Sequence, residues 1–299
     1  MRKEVIVINS VNIRRLVKNR IFCFSLAVLL IAQVCGCGAY KVSNEADSPK
    51  EVVITLFAAK SLNVALDEII DIYNIKNPNV KVQTNYDSSG TLLMQIVEGG
   101  GACDVFFSAS PKQVDTLEEK GLMVQGTRIN LLRNQMCVVT GTGSKTEVTG
   151  LTDMHKAKSL AIAGQSVPIG SYTRTALRNL GILEEKSEGA EISSKDISEA
   201  LGNVTINECA NAGAVVSAIA EHSNEVGTVY YSDIAGHEDS IQILEMVSTD
   251  ITGEIIYPVV QVQNTEAKEI QMRAAAEFNK FLESAEAKVV FERYHFITE

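Results

Sequence analysis

From Glu51 onward, short continuous apolar runs alternate with stretches whose apolar residues recur every three or four positions. "EVVITLFAA" (51–59) predicts a buried strand, and "SLNVALDEIIDIYNIKN" (61–77) an amphipathic helix stopped by Pro78. "VKVQTNY" predicts a strand and "GTLLMQIVEGG" a helix closed by glycines. "CDVFFSAS" predicts a strand, and "PKQVDTLEEKGL" a helix with proline at its start. The same alternation continues through "QMCVVTG", "LTDMHKA", "SLAIAG", "GSYTRTALRNLG", "NAGAVVSAIAEH", "EVGTVYYSD", "IQILEMV" and "IIYPVVQV". It ends in one long helical stretch, "EAKEIQMRAAAEFNKFLESAEAKVVFERYHF", whose apolar stripe reads as packing against a core.

Strands alternating with helices argue for an α/β fold with mostly parallel sheets. In such sheets ligands sit beyond the carboxyl ends of strands, at helix N-termini. Four strand-to-helix junctions share one character here: "AAKS", "DSSG", "VPIGS" and "CANAG". They are built from small residues, hydroxyls and glycine, with almost no charge. Two lie early and two in the middle of the chain, which predicts two lobes facing each other. Taken singly, Ser61 and Ser89 read as N-caps, Tyr230 beside Tyr231 as sheet packing, and "VPIGS" as a turn.

The first 50 residues break the pattern. Basic residues up to Arg20 precede the apolar run "IFCFSLAVLLIAQV" (21–34), which suits a signal peptide and is short for a membrane span. "VCGC" (34–37) resembles a bacterial lipobox. That resemblance implies cleavage before Cys37, a diacylglyceryl anchor on its sulfur and a polar tether to residue 50. An uncleaved anchor helix and plain secretion are the alternatives.

The charge balance narrows the partners. The 299-residue chain carries −10. Beyond residue 37 there are 21 basic and 36 acidic residues, a balance of −15. So acidic a body argues against nucleic acid, and any anion site must be local and built from dipoles. After Cys37 only Cys103, Cys137 and Cys209 remain, spaced too widely for a disulfide framework or a Cys-x-x-Cys metal site. They read as small buried residues, with one disulfide and a leftover thiol as the alternative.

At this point the motifs resemble a known family, the extracytoplasmic molybdate-binding proteins of ABC-type transporters. The segments are "FAAKSL" (57–62), "DSSGTL" (87–92), "DVFFSAS" (104–110), "VPIGSY" (167–172), "GTVYYSD" (227–233), "YPVV" (257–260) and "FERYHF" (291–296). The resemblance implies a two-lobed periplasmic-binding-protein fold of type II, crossed twice at a hinge. Residues 51–134 with 257–299 would form lobe 1, and 135–256 lobe 2. It implies an oxyanion, molybdate or tungstate, held in the cleft by Ser61, Ser89, the backbone at Ile169 and Ala212, and the Tyr230 hydroxyl, with Ala109 lining the pocket.

It further implies no cofactor, no directly bound metal cation, a monomer, an ABC permease as partner, and an extracytoplasmic, membrane-anchored location. Lys60, Asp87, Ser110 and Ile169 depart from the family's usual residues. Asp87 is expected to point outward as a helix cap, and Lys60 into solvent.

Sulfate in the same cleft is the nearest alternative. A sensor that signals to a membrane partner would have the same cleft. A surface-anchored serine hydrolase belongs to another class. "GxSxG" is absent, and His155, His222, His237 and His295 lie away from the serine motifs.

Overall fold

The computed structural model describes residues 51–99, 102–184 and 191–298; the signal segment, Cys37 and the tether lie outside them. Residues Pro49–Glu299 form one compact unit. Its elements run β1 (Val52–Ala59), α1 (Asn63–Lys76), β2 (Val80–Asp87), α2 (Ser89–Glu98), β3 (Val105–Phe107), α3 (Pro111–Glu119), β4 (Ile129–Asn134) and β5 (Met136–Gly141). They continue with β6 (Ser159–Ala163), α4 (Pro168–Asn179), α5 (Ser194–Ala200), β7 (Thr205–Cys209), α6 (Ala212–Ala220), β8 (Val226–Tyr230) and β9 (Ile241–Met246). The last are α7 (Thr249–Thr252), β10 (Ile255–Gln261), α8 (Glu269–Phe281), α9 (Ala285–Arg293) and β11 (Ile297–Thr298).

The strands form two sheets, ordered β11-β4-β10-β3-β1-β2 and β7-β6-β8-β5-β9. The chain passes from the first to the second between Asn134 and Met136, and returns between Met246 and Ile255. Both sheets are mixed rather than mostly parallel. The β1–β2, β1–β3, β6–β7 and β6–β8 pairs are parallel, as helical crossovers require. The strands flanking the two crossings, β4, β5, β9 and β10, pair antiparallel with every neighbour. A strand that leaves one sheet directly for the other has no crossover helix to turn it parallel.

Each helix buries the stripe its period sets. In α1 the buried positions are Ala65, Leu66, Ile69, Ile70 and Tyr73, and the Tyr73 ring meets Phe278 of α8 edge-on at 5.0 Å. A smaller cluster under α2 and α3 gathers Leu92, Ile96, Phe106, Val114, Leu117 and Val260. Asp104, buried at the head of β3, fixes this lobe by accepting from the Thr55 amide at 2.7 Å, from Asn264 and from Gln271.

Several described elements differ from the sequence reading. β4, α5, β7, α7 and β11 carry no clear period and go unpredicted. The long C-terminal helix is two, broken at Ser284, whose hydroxyl caps α9 by accepting from the Ala287 amide at 3.2 Å. The described cysteines, Cys103, Cys137 and Cys209, are free and buried. No helix among the described residues is long and apolar enough to cross a membrane.

Candidate functional site

The four small-residue junctions meet. Ala59, Lys60 and Ser61 after β1, Ser88 and Ser89 before α2, Val167 to Ile169 at the start of α4, and Asn211 and Ala212 at the start of α6 line one cavity, with Ala109 and Tyr230. All six residues named from the sequence, Ser61, Ser89, Ala109, Ile169, Ala212 and Tyr230, are on its wall. Its atom-free space, about 200 Å³ with the part open to solvent included, is too small for most organic ligands. Three walls come from strands or helices of the first sheet and three from the second, so the cavity lies where the lobes meet.

The wall offers donors and no carboxylate. Helix starts bring amide N–H groups with no intrahelical acceptor, and a partial positive charge. The start of α4 has no side-chain cap at Val167, and neither does the turn at Lys60–Leu62. Ser88 and Asn211 cap α2 and α6 by accepting from the Thr91 and Ala214 amides. Ser89 Oγ accepts from the Ala109 amide at 3.0 Å, which commits that amide to the wall.

Tyr230 is 1% exposed, and its hydroxyl makes no hydrogen bond of good geometry within the protein, with the Tyr257 side chain the polar neighbour beside it. Burial, with Tyr257 close by, holds the phenol well above its ordinary value, so it stays a donor at any physiological pH.

Two expectations are corrected. Asp87 keeps off the cavity wall, in line with an outward direction, but it is not the cap of α2; its carboxylate accepts from the Ser88 amide at 2.7 Å, and Ser88 does the capping. Lys60 is half-buried rather than solvated. Its stem lies across the first turn of α6, where a Cβ at Gly213 would come within 3.3 Å of Lys60 Cγ.

Gly90 of α2 allows a close approach between the lobes. A Cβ there would sit 2.3 Å from the Ser166 carbonyl oxygen ahead of α4. Gly170 allows a second close approach, since its Cβ would meet the Ala163 and Gly164 carbonyls at 2.3 and 2.1 Å. The buried Arg174 guanidinium gathers this loop by donating to the Ala163, Gly170 and Ile192 carbonyls at 2.7–2.9 Å.

On the far side of Lys60 and Ser61 runs a wider groove, about 950 Å³, that contains Asp233 and His237. It carries a carboxylate, so its chemistry differs from that of the cavity.

The pattern of the family described as bacterial extracellular solute-binding protein matches residues 54–297. The chain belongs to that family. Such a solute-binding protein is the extracytoplasmic, ligand-capturing part of an ABC transporter. YvgL of Bacillus subtilis, provisionally named an ABC transporter substrate-binding lipoprotein, is 31% identical over 94% of this chain and 99% of its own length. The molybdate-binding protein ModA of Haemophilus influenzae is 30% identical over 81% of this chain and 89% of its own. Among solved structures, the substrate-binding domain of a Clostridium difficile protein provisionally assigned to molybdenum ABC transport superposes with a TM-score of 0.60. It is 28% identical and covers 83% of this chain and all of its own.

Two residues of this solute-binding protein's site escaped the sequence reading. Tyr257 and Asn134 stand directly behind Ser61, at 196 and 123 positions' remove from their partners. The motif "YPVV" contained Tyr257, but nothing local in it points to Ser61.

Proposed function

We propose that this solute-binding protein captures molybdate, and with it tungstate, as the fully ionised tetrahedral dianion, and hands it to an ABC permease. The observation that carries the reading is the Tyr230 hydroxyl, a buried donor without an acceptor, in a carboxylate-free wall of helix starts and serine hydroxyls. A dianion supplies the acceptors such a wall lacks. A protonated oxyanion would bring a proton with no acceptor to meet it, a cost of about 1–3 kcal/mol. In this reading Ser61, Ser89 and Tyr230 donate through hydroxyls, Ile169 and Ala212 through backbone amides, and Ala109 shapes the wall. Residues 51–134 with 257–299 and residues 135–256 close on the ion as two lobes. The anchor is a diacylglyceryl group on Cys37, for which the lipobox-like "VCGC" is the support. A Cys37→Ala chain that still incorporated labelled fatty acid would refute it.

The test is isothermal titration of the full-length chain, purified in detergent, with molybdate, tungstate, sulfate and phosphate. One-to-one binding of molybdate and tungstate with little heat from sulfate and phosphate is expected. Preference for sulfate would keep the wall chemistry and overturn the ligand. No heat from any of the four would overturn the oxyanion reading.

A further inference from the structure

Behind the cavity wall, a chain of hydrogen bonds reaches Ser61 through Asn134 and Tyr257. The Asn134 amide oxygen accepts from the Gln135 amide at 2.9 Å and from the Ser232 amide at 3.4 Å. That fixes which way the amide faces: its NH₂ group donates to Ser232 Oγ at 2.8 Å and to Tyr257 Oη at 3.1 Å. An NH₂ group cannot accept, so Tyr257 keeps its own proton to give elsewhere. Tyr257 is fully buried, and a buried hydroxyl proton needs an acceptor. Ser61 Oγ, 3.0 Å away, takes it. With a lone pair committed to Tyr257, Ser61 presents its hydrogen to the cavity that it lines.

We propose that Asn134 and Tyr257 act as positioning residues that polarise Ser61 into a donor, and so set the preference for fully ionised over protonated oxyanions. The inference rests on the oxyanion reading above. Ser89 is arranged the same way, with the Ala109 amide donating to its oxygen from behind. There the backing donor is backbone and survives any substitution. At Ser61 it is a side chain, which makes the arrangement testable. Asn134 closes β4 and Tyr257 lies near the start of β10, the strands on which the chain leaves and re-enters the first sheet. The donor direction at Ser61 is therefore built from the hinge.

The experiment is a double-mutant cycle on the full-length chain, with titration of molybdate into wild type, Tyr257→Phe, Ser61→Ala and the double variant. Tyr257→Phe is expected to weaken binding about tenfold in the wild-type background and less than twofold beside Ser61→Ala, because Tyr257 acts through Ser61. Equal losses in both backgrounds would show a purely structural role and overturn the proposal, as would no loss in either. A second readout does not depend on Ser61→Ala folding. In Tyr257→Phe alone, the ratio of molybdate to phosphate affinity at pH 6, where phosphate is protonated, should narrow at least fivefold, since Ser61 is then free to accept. An unchanged ratio overturns the proposal. Wild type that binds none of the oxyanions overturns the functional reading and this inference together, whereas wild type that binds with additive losses overturns this inference alone.

Discussion

Replacing Tyr230 by Phe removes one oxygen and should move stability and binding in opposite directions. The ring keeps its place, edge-on to Tyr257 with centroids 5.5 Å apart, so packing is preserved. What is lost is a hydroxyl with no partner in the protein. An unsatisfied buried polar group costs about 1–3 kcal/mol. The ligand-free Tyr230→Phe protein should therefore be as stable as wild type or more stable, by up to that amount. A hydrogen bond to an ion is worth about 1.5–3 kcal/mol, so the same change should weaken the oxyanion complex roughly 10- to 150-fold. Urea unfolding of the ligand-free protein and calorimetric titration read the two effects separately. A variant that lost stability, or one that kept wild-type affinity, would refute the assignment of this hydroxyl to the ligand.

Two further substitutions test the site from its edges. Gly90→Ala places a Cβ 2.3 Å from the Ser166 carbonyl across the lobes. Because alanine suits a helix better than glycine by about 0.5–1 kcal/mol, stability should hold or rise while affinity falls at least tenfold; unchanged affinity in titration would mean the lobes do not close there. Asp233 accepts from the Tyr230 amide at 2.9 Å, and burial pushes its carboxyl up to about 7. The unfolded chain ionises it near pH 4. Between those values the native protein holds a proton the unfolded chain has lost, so this group's contribution is greatest below about pH 4, falls as pH rises to about 7, and stays low above it. Asp233→Asn should flatten that fall, by on the order of 2–4 kcal/mol between pH 4 and pH 8, in urea unfolding series; equal slopes would refute the assignment.

The cavity wall was legible in the sequence because its chemistry is local. A strand that ends in Ala58–Ala59 and hands over to Ser61, or one that ends before Ser88–Ser89, declares both a close approach and a donor within a few residues. The mixed sheets were not legible. "INLLRN" lacks a strand's alternation, because β4 lies between β10 and β11 with both faces partly covered, and parallel or antiparallel pairing leaves no mark on a single strand. The backing of Ser61 was invisible for a different reason. It joins Asn134, Tyr257 and Ser61 across nearly 200 positions, and only the folded sheet brings them together. The break at Ser284 did carry a local signal, a serine three residues before Ala287, but the apolar stripe runs through it unbroken.

The near-neutral wall has a kinetic side. Lys60 is the only charged residue on it, and the body beyond residue 37 carries −15. In the oxyanion reading proposed above, an approaching dianion meets a repulsive field from a distance rather than a funnel. Encounter is slowed, and tight capture has to come from slow release once the lobes have shut. Added salt, which blunts attraction in a cation-lined site, would here screen the repulsion and speed arrival. In that reading the protein trades rapid collection for long retention.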